Sequence, residues 1–71
     1  MKEIKIKTPE IRLGDFLKFA SICSSGGEAK SKILNSEVYV NHKICRLRGK
    51  KLKNADIVEV DGVEYIVKNE N

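Results

Sequence analysis

The chain has 71 residues and a net charge of +4, with 41% apolar and 34% charged residues. This length allows one domain with a small core, and the composition is typical of a folded chain rather than a disordered tail. No apolar run approaches the roughly 20 residues that cross a bilayer, and the first ten residues lack the apolar core of a signal peptide. We therefore expect a single domain over residues 1–71 that acts in the cytoplasm, away from membranes.

The first two elements in chain order are predicted to be a strand and a helix. Residues 3–7 alternate charged side chains with two isoleucines, which predicts a short strand that ends at Pro9. From Leu13 the period changes, because apolar residues stand at i, i+3, i+4 and i+7. This spacing forms one apolar stripe, and it predicts a first helix that leaves Lys18 off the stripe.

A second helix is predicted after a Ser-Ser-Gly-Gly break. Ser25 and Glu28 have the spacing of a capping box, in which each side chain accepts a hydrogen bond from the backbone of the other residue. The helix should run from about residue 26 to residue 35, so that the helix pair spans about residues 13–35. Its buried face is predicted to contain Ala29, Ile33 and, as a further candidate, Leu34.

The remainder of the chain is predicted to form strands, over about residues 38–68. Residues 38–40 read as a strand, followed by a turn at 41–43 and a second strand at 44–46. Residues 47–54 are predicted to be mostly irregular.

A hairpin is predicted near the C-terminus. Two β-rich runs, residues 57–60 and 63–67, are separated by Asp61-Gly62, a pair that favours the positive φ angles of a type I′ turn. The order strand, helix, helix and several strands predicts an α+β fold. Two short packed helices should lie against a small, mainly antiparallel sheet.

The positive charge is concentrated between Asn41 and Lys53. This segment has six basic and no acidic residues, whereas residues 1–40 have seven basic and five acidic residues and residues 54–71 have one and five. Self-repulsion works against such clustering, so the segment predicts an anionic partner surface.

No pattern in the chain predicts catalysis or a cofactor. There is one histidine, and we find no Ser-His-Asp or Cys-His arrangement and no glycine-rich nucleotide fingerprint. Cys23 and Cys45 are expected to be reduced, small apolar side chains, with a single disulfide as the alternative. Two cysteines and one histidine at wide spacing do not supply four zinc ligands, so we expect no metal and no cofactor.

Three ordered stretches carry a family resemblance: RLGDFL at 12–17, SGGEAK at 25–30 and VYVNH at 38–42. They resemble the RNA-binding domain named after small-subunit ribosomal protein S4, whose helical part is called the αL motif. Members of that family show Arg-Leu-Asp-x-Phe-Leu, Ser-Arg-Ser-x-Ala-Arg and Val-x-Val-Asn-Gly. The resemblance covers residues 11 to about 60, and it is greatest to the small free-standing bacterial members. It implies a non-catalytic RNA-binding protein.

Three positions depart from the family pattern. Gly14 replaces the usual Asp at the start of the first helix, which weakens a local helix-start contact. Gly26 stands where many members place an arginine against phosphate, and the basic segment after the turn offers compensation for this loss. His42 replaces the turn glycine, which leaves the geometry of that turn open.

The predicted RNA-binding surface is a basic face made by the two helices and the loop that follows residues 38–41. Lysine and arginine neutralise phosphates and release counterions, and a helix N-terminus offers free backbone amides to a phosphate. A single exposed lysine, such as Lys18 or Lys32, is more often simply a solvated side chain. The candidate RNA-binding residues are Arg12, Lys18, Gly26, Gly27, Lys30, Lys32, Lys43, Arg46, Arg48, Lys50 and Lys51.

The expected partner is structured RNA, with ribosomal RNA first and transfer RNA as the alternative. The ribosome or its precursors are further candidate partners, and we expect a monomer. The few aromatic residues favour recognition of shape and phosphates over base stacking, although Tyr39 remains a stacking candidate.

A second hypothesis is a protein-interaction module that uses the acidic C-terminal hairpin, which contains Asp56, Glu59, Asp61 and Glu64.

Overall fold

The computed structural model describes residues 1–70 and confirms the predicted α+β fold. The elements in chain order are β1 (Lys2–Ile6), β2 (Ile11–Arg12), α1 (Leu13–Phe19), α2 (Gly26–Leu34), β3 (Val38–Val40), β4 (Lys43–Ile44), β5 (Lys51–Leu52), β6 (Ile57–Val60) and β7 (Val63–Asn69). Within residues 1–70, neither helix is long and apolar enough to cross a bilayer.

The strands form one larger and one smaller sheet. The larger sheet has five strands in the order β1-β7-β6-β3-β4. All of its neighbouring pairs are antiparallel except β1 and β7, which are parallel. The smaller sheet consists of β2 and β5, which pair Ile11 with Leu52 and Arg12 with Lys51 in antiparallel register. The sheet is therefore mixed but mainly antiparallel, as the sequence predicts.

The core lies between one face of the larger sheet and the two helices. Alternation along the strands directs every second residue inward, and in β3 and β6 these residues are valines. The 3.6-residue period of the helices aligns their apolar stripes with these valines. Cys23 is buried in this core, Cys45 is half buried, and both thiols are free. The buried apolar residues are Ile6, Leu13, Phe16, Leu17, Cys23, Ala29, Ile33, Val38, Val40, Leu52, Val58, Val60 and Val67.

The basic segment contains a strand that the sequence does not reveal. Residues 47–54 are predicted to be mostly irregular, yet β5 lies inside them and the side chain of Leu52 is completely buried. The partner of β5 is β2, about forty residues earlier in the chain, and no local pattern signals such a pairing. The strand predicted at 44–46 is shorter in the structure and ends at Ile44. Leu34 is exposed, because it falls outside the apolar stripe of α2.

Both two-residue turns of the larger sheet have positive φ angles. Asp61 and Gly62, which join β6 to β7, have φ angles of 53° and 78°, as expected of a type I′ turn. Asn41 and His42, which join β3 to β4, have φ angles of 51° and 71°. His42 therefore adopts the left-handed conformation although it carries a side chain.

Replacing His42 with glycine is expected to stabilise the fold. The left-handed conformation costs a residue with a Cβ atom roughly 1–2 kcal/mol, and glycine removes this strain. Part of the resulting gain in stability is lost, because glycine makes the unfolded chain more flexible. The contact of His42 Nδ1 with Glu64 Oε2, at 3.8 Å, is exposed and contributes little. We expect the free energy of unfolding to rise by about 0.5–1 kcal/mol, measured by urea denaturation.

The matched control for this prediction is Asn41→Gly at the neighbouring turn position. The Asn41 side chain accepts a hydrogen bond from the Ile57 backbone N–H at 2.9 Å and donates one to Asp56 Oδ1 at 3.2 Å. Loss of these bonds should lower stability. A loss of stability in His42→Gly would contradict the interpretation that the turn is strained at His42.

Candidate nucleic-acid interface

A groove of about 260 Å³ opens between the start of α1, the start of α2 and the loop at residues 48–49. We call it the basic groove. Three cationic side chains and one carboxylate line it, together with three glycines and one alanine. The charged residues are Arg12, Lys18, Arg48 and Asp15.

The basic segment itself caps the first turn of α1. The N-cap residue Arg12 is extended, and its side chain makes no capping hydrogen bond. Instead, the backbone N–H groups of Leu13 and Gly14 donate to the carbonyl oxygens of Lys50 and Arg48, at 2.8 and 3.0 Å. Since the first N–H groups of a helix have no acceptor within it, these two bonds attach the basic segment to α1. They bring Arg12 and Arg48 to the same groove.

The start of α2 forms a second wall of the groove. Ser25 Oγ accepts a hydrogen bond from the Glu28 backbone N–H at 3.1 Å, as the capping pattern predicts. The return contact differs, because the Glu28 carboxylate accepts from Ser24 N–H at 2.7 Å and Ser24 Oγ at 2.9 Å rather than from Ser25. These hydrogen bonds to the charged form lower the pKa of Glu28.

Two backbone donors at this helix start have no acceptor. The N–H groups of Gly26 and Gly27 donate to no residue in the described range 1–70. Gly26 lines the groove, and a Cβ atom built on it would lie 3.9 Å from Lys18 Nζ. The start of α2 therefore combines unoccupied amide donors, the positive end of the helix dipole and a nearby ammonium group.

Among the described residues 1–70, Asp15 is the one carboxylate that lines the groove. Its Oδ1 atom lies 3.7 Å from Lys18 Nζ, one turn away on α1, and both side chains are about half exposed. This pair screens the charge of Lys18 and competes with any anion that enters the groove.

Other predicted site residues lie outside the groove and have their own contacts. Lys32 Nζ lies 3.4 Å from Asp61 Oδ2 and 3.7 Å from Glu37 Oε1. The Asp61 carboxylate, with a smaller contribution from Glu37, raises the pKa of Lys32. Arg46 Nε donates to Ser36 Oγ at 2.7 Å.

The four remaining candidates are exposed lysines that do not line the groove. Lys51 Nζ forms an exposed ion pair with Glu10 at 3.5 Å. Lys30, Lys43 and Lys50 are exposed. Lys30 lies one turn after Gly26 on α2, so these two residues are neighbours on the helix surface.

Sequence reasoning missed several residues of this region. Asp15 was not predicted, although its i,i+3 spacing to Lys18 is visible in the sequence. Gly14 and Gly49 line the groove only because a distant segment packs on α1, which no local pattern reveals. Phe19 is 59% exposed and lies one turn after Asp15; its position off the apolar stripe was the available signal.

The outer face of the sheet contains a separate group of polar side chains. His42, Glu59 and Glu64 offer ligand atoms that lie within 4.8 Å of one another, as a metal ion would need. His42 is exposed, the two carboxylates are partly exposed, and sequence reasoning did not predict the group. Tyr39 lies on this outer face, in register with Ile44 and Glu59, and does not line the groove.

Comparison with known proteins assigns the chain to a family. The family model of the S4 domain matches residues 4–68. The chain is 46% identical over 59 residues to a probable ribosome maturation protein, RlbA, of Bacillus subtilis (strain 168), and the match covers 83% of each protein.

A solved structure has the same fold. It is the crystal structure of 30S ribosomal protein S4e from Thermoplasma acidophilum, with a TM-score of 0.64 and 23% sequence identity. The match covers 84% of this chain, which spans 32% of the length of that protein. The agreement of sequence family, relative and fold leads to one conclusion: the chain belongs to the S4 domain family.

Proposed function

We propose that the protein binds structured RNA, with ribosomal RNA as its target, and that the basic groove is the centre of the contact. The observation that carries this proposal is the convergence of Arg12, Lys18 and Arg48 on one groove beside the free amides of α2. Membership of the S4 domain family and the relative named as a ribosome maturation protein support it. The family and this relative also favour a protein that is not an enzyme and that acts in the cytoplasm.

The chemistry of the groove suits the phosphate backbone of RNA. The two guanidinium groups can each hold a phosphate with paired hydrogen bonds, while the Lys18 ammonium group acts as a point charge. Lys30, Lys50 and Lys51 would extend the contact along the backbone. The groove has no aromatic side chain in its lining, which favours recognition of the shape and phosphates of folded RNA.

The test is RNA affinity as a function of salt. If the surface contacts about five phosphates, log K should fall with log salt at a slope of about −3.5 to −4.5. A purified ribosomal RNA fragment and a transfer RNA, measured side by side by fluorescence anisotropy, would compare the two classes of target. An affinity that does not change with salt would contradict a phosphate-centred contact. Sedimentation of the free protein and the complex would test the proposal that it acts as a monomer.

The alternative is a protein-interaction module at the acidic C-terminal hairpin, and it has less support. Asp56 Oδ2 accepts a hydrogen bond from Lys53 N–H at 2.8 Å, Asp61 pairs with Lys32, and Glu64 lies near His42. Three of the four acidic residues thus have contacts within the chain. If neutral substitutions in the hairpin abolish function while groove substitutions do not, the alternative replaces our proposal.

Replacing Asp15 with asparagine is expected to strengthen RNA binding. The change removes the only carboxylate in the described part of the chain that lines the groove, and it frees Lys18 from its partner at 3.7 Å. An exposed pair of this kind is worth up to about 1 kcal/mol, which corresponds to a gain in affinity of about threefold to fivefold. Glu10→Gln, which removes a carboxylate paired with Lys51 outside the groove, is the matched control and should have a smaller effect. Weaker binding by Asp15→Asn would count against the groove.

A further inference from the structure

Gly14 lies directly beneath the side chain of Arg48. A Cβ atom built on Gly14 would lie 2.6 Å from Arg48 Cγ, which is closer than such atoms approach, and 3.2 Å from Arg48 Cδ, which is a tight contact. The backbone is not the obstacle, since the Arg48 carbonyl oxygen would be 3.6 Å away at an ordinary contact distance. The aliphatic part of Arg48 therefore occupies the space that any other residue at position 14 would fill.

The two residues are also joined through the backbone. The Gly14 N–H donates to the Arg48 carbonyl oxygen at 3.0 Å, so residue 48 is fixed against the first turn of α1. With its backbone fixed and its stem resting on Gly14, the Arg48 side chain lines the basic groove opposite Lys18 and Gly26.

We infer that Gly14 is a positioning residue for RNA binding: the missing side chain allows Arg48 to lie across α1 and present its guanidinium group to a phosphate in the groove. This inference rests on the proposed function. It goes beyond that function, because Gly14 has no charge with which to bind RNA and acts only by allowing the position of Arg48. A methyl group at position 14 should push the Arg48 stem away and remove one phosphate contact.

The chain supplies a matched control for this substitution. Gly49 also lines the groove, its φ angle is not in the positive range, and a Cβ atom built on it would meet no atom within 4 Å other than those of its chain neighbours. Gly49→Ala therefore makes the same chemical change in the same groove, next to Arg48 in the chain but not beneath its side chain. It should bind RNA as the unchanged protein does.

The experiment is a double-mutant cycle on binding to a structured ribosomal RNA fragment. Arg48→Ala should lower affinity about tenfold, since it removes one charge-assisted contact. Gly14→Ala should cause a loss approaching that of Arg48→Ala. The double variant should bind no more weakly than Arg48→Ala alone, because without the Arg48 stem there is nothing to displace.

Two further measurements separate positioning from general damage to the fold. With Arg48 present, the cost of displacing its side chain opposes the gain from alanine as the better helix former, whereas in the Arg48→Ala background, where nothing is displaced, Gly14→Ala should raise the Tm. The salt slope of Gly14→Ala should become shallower by about 0.7–0.9, the value of one phosphate contact, as it should for Arg48→Ala. A change that only weakened the fold would leave the slope as it is.

The outcomes distinguish the inference from the proposed function. If Arg48→Ala binds RNA normally, the basic groove is not the site and both proposals fail. If Arg48→Ala is weakened while Gly14→Ala binds normally, or if the two losses multiply in the double variant, only the role of Gly14 is overturned.

Should Gly14→Ala fail to fold, NMR of the unchanged protein decides the question. Nuclear Overhauser contacts between the Gly14 α-protons and the Arg48 side chain, with a shift of Arg48 Nε–H on adding RNA, support the inference, and their absence overturns it.

Discussion

Simultaneous replacement of Arg12, Lys18 and Arg48 by glutamine is expected to abolish detectable binding to structured RNA. Each charge-assisted hydrogen bond to a phosphate contributes roughly 1.5–3 kcal/mol, and three such losses, even if not fully additive, correspond to a loss in affinity of about a thousandfold or more. All three side chains are exposed, so their replacement should not disturb the core. Titration of a fluorescent ribosomal RNA fragment at fixed salt measures the loss, and circular dichroism verifies the fold.

The control variant removes the same charge from another part of the surface. Lys2, Lys5 and Lys68 lie on the neighbouring strands β1 and β7 and do not line the basic groove. Replacing these three with glutamine lowers the net charge equally, so it reports the long-range effect of charge on association. We expect RNA affinity to fall by less than about tenfold, since no proposed contact with RNA is removed. Equal losses in the two triple variants would show that net charge, rather than the groove, governs binding.

Leu52→Ala is expected to destabilise the protein severely. The Leu52 side chain is fully buried although it lies within the basic segment, and truncation of a buried leucine costs about 2–5 kcal/mol. A domain of this size is stable by only about 4–11 kcal/mol, so much of its stability would be lost. Because Leu52 pairs with Ile11 in the smaller sheet, its loss should also release the basic segment from α1. Urea denaturation gives the change in the free energy of unfolding.

Two substitutions in the same region serve as controls for Leu52→Ala. Leu47 is 68% exposed in the same segment, so Leu47→Ala should change stability by less than about 0.5 kcal/mol. Leu52→Met conserves volume and should cost less than about 1.5 kcal/mol. A Leu52→Ala protein as stable as Leu47→Ala would contradict the burial of Leu52 in the core.

Local sequence patterns were sufficient to predict those elements whose structure depends on residues close together in the chain. The apolar stripe that begins at Leu13 predicted α1, and the Asp61-Gly62 pair predicted its hairpin, because helix periodicity and turn chemistry act over a few residues. The fold class followed from the order of these elements. Their ordered motifs also gave the family resemblance, which the family comparison confirms.

The capping pattern shows where local reasoning begins to fail. Ser25 caps α2 as its spacing predicts, but the Glu28 carboxylate accepts its hydrogen bonds from the N–H and hydroxyl groups of Ser24 rather than from Ser25. Similarly, the sequence identified Lys32 as a candidate for RNA binding. The hairpin that approaches it from residues 57–67 supplies Asp61 as a partner, a contact between segments 29 residues apart.

The sequence by itself determined the two helices, the strands of the larger sheet, the fold class, the family and the concentration of positive charge between Asn41 and Lys53. Only the tertiary structure decided which of these charges meet. The pairing of β2 with β5 and the capping of α1 by the carbonyl groups of Arg48 and Lys50 bring part of the basic segment to Arg12 and Lys18. Contacts of this kind join residues about 35 to 40 positions apart, and their geometry depends on backbone hydrogen bonds and on the space above Gly14, neither of which leaves a periodic signal in the sequence.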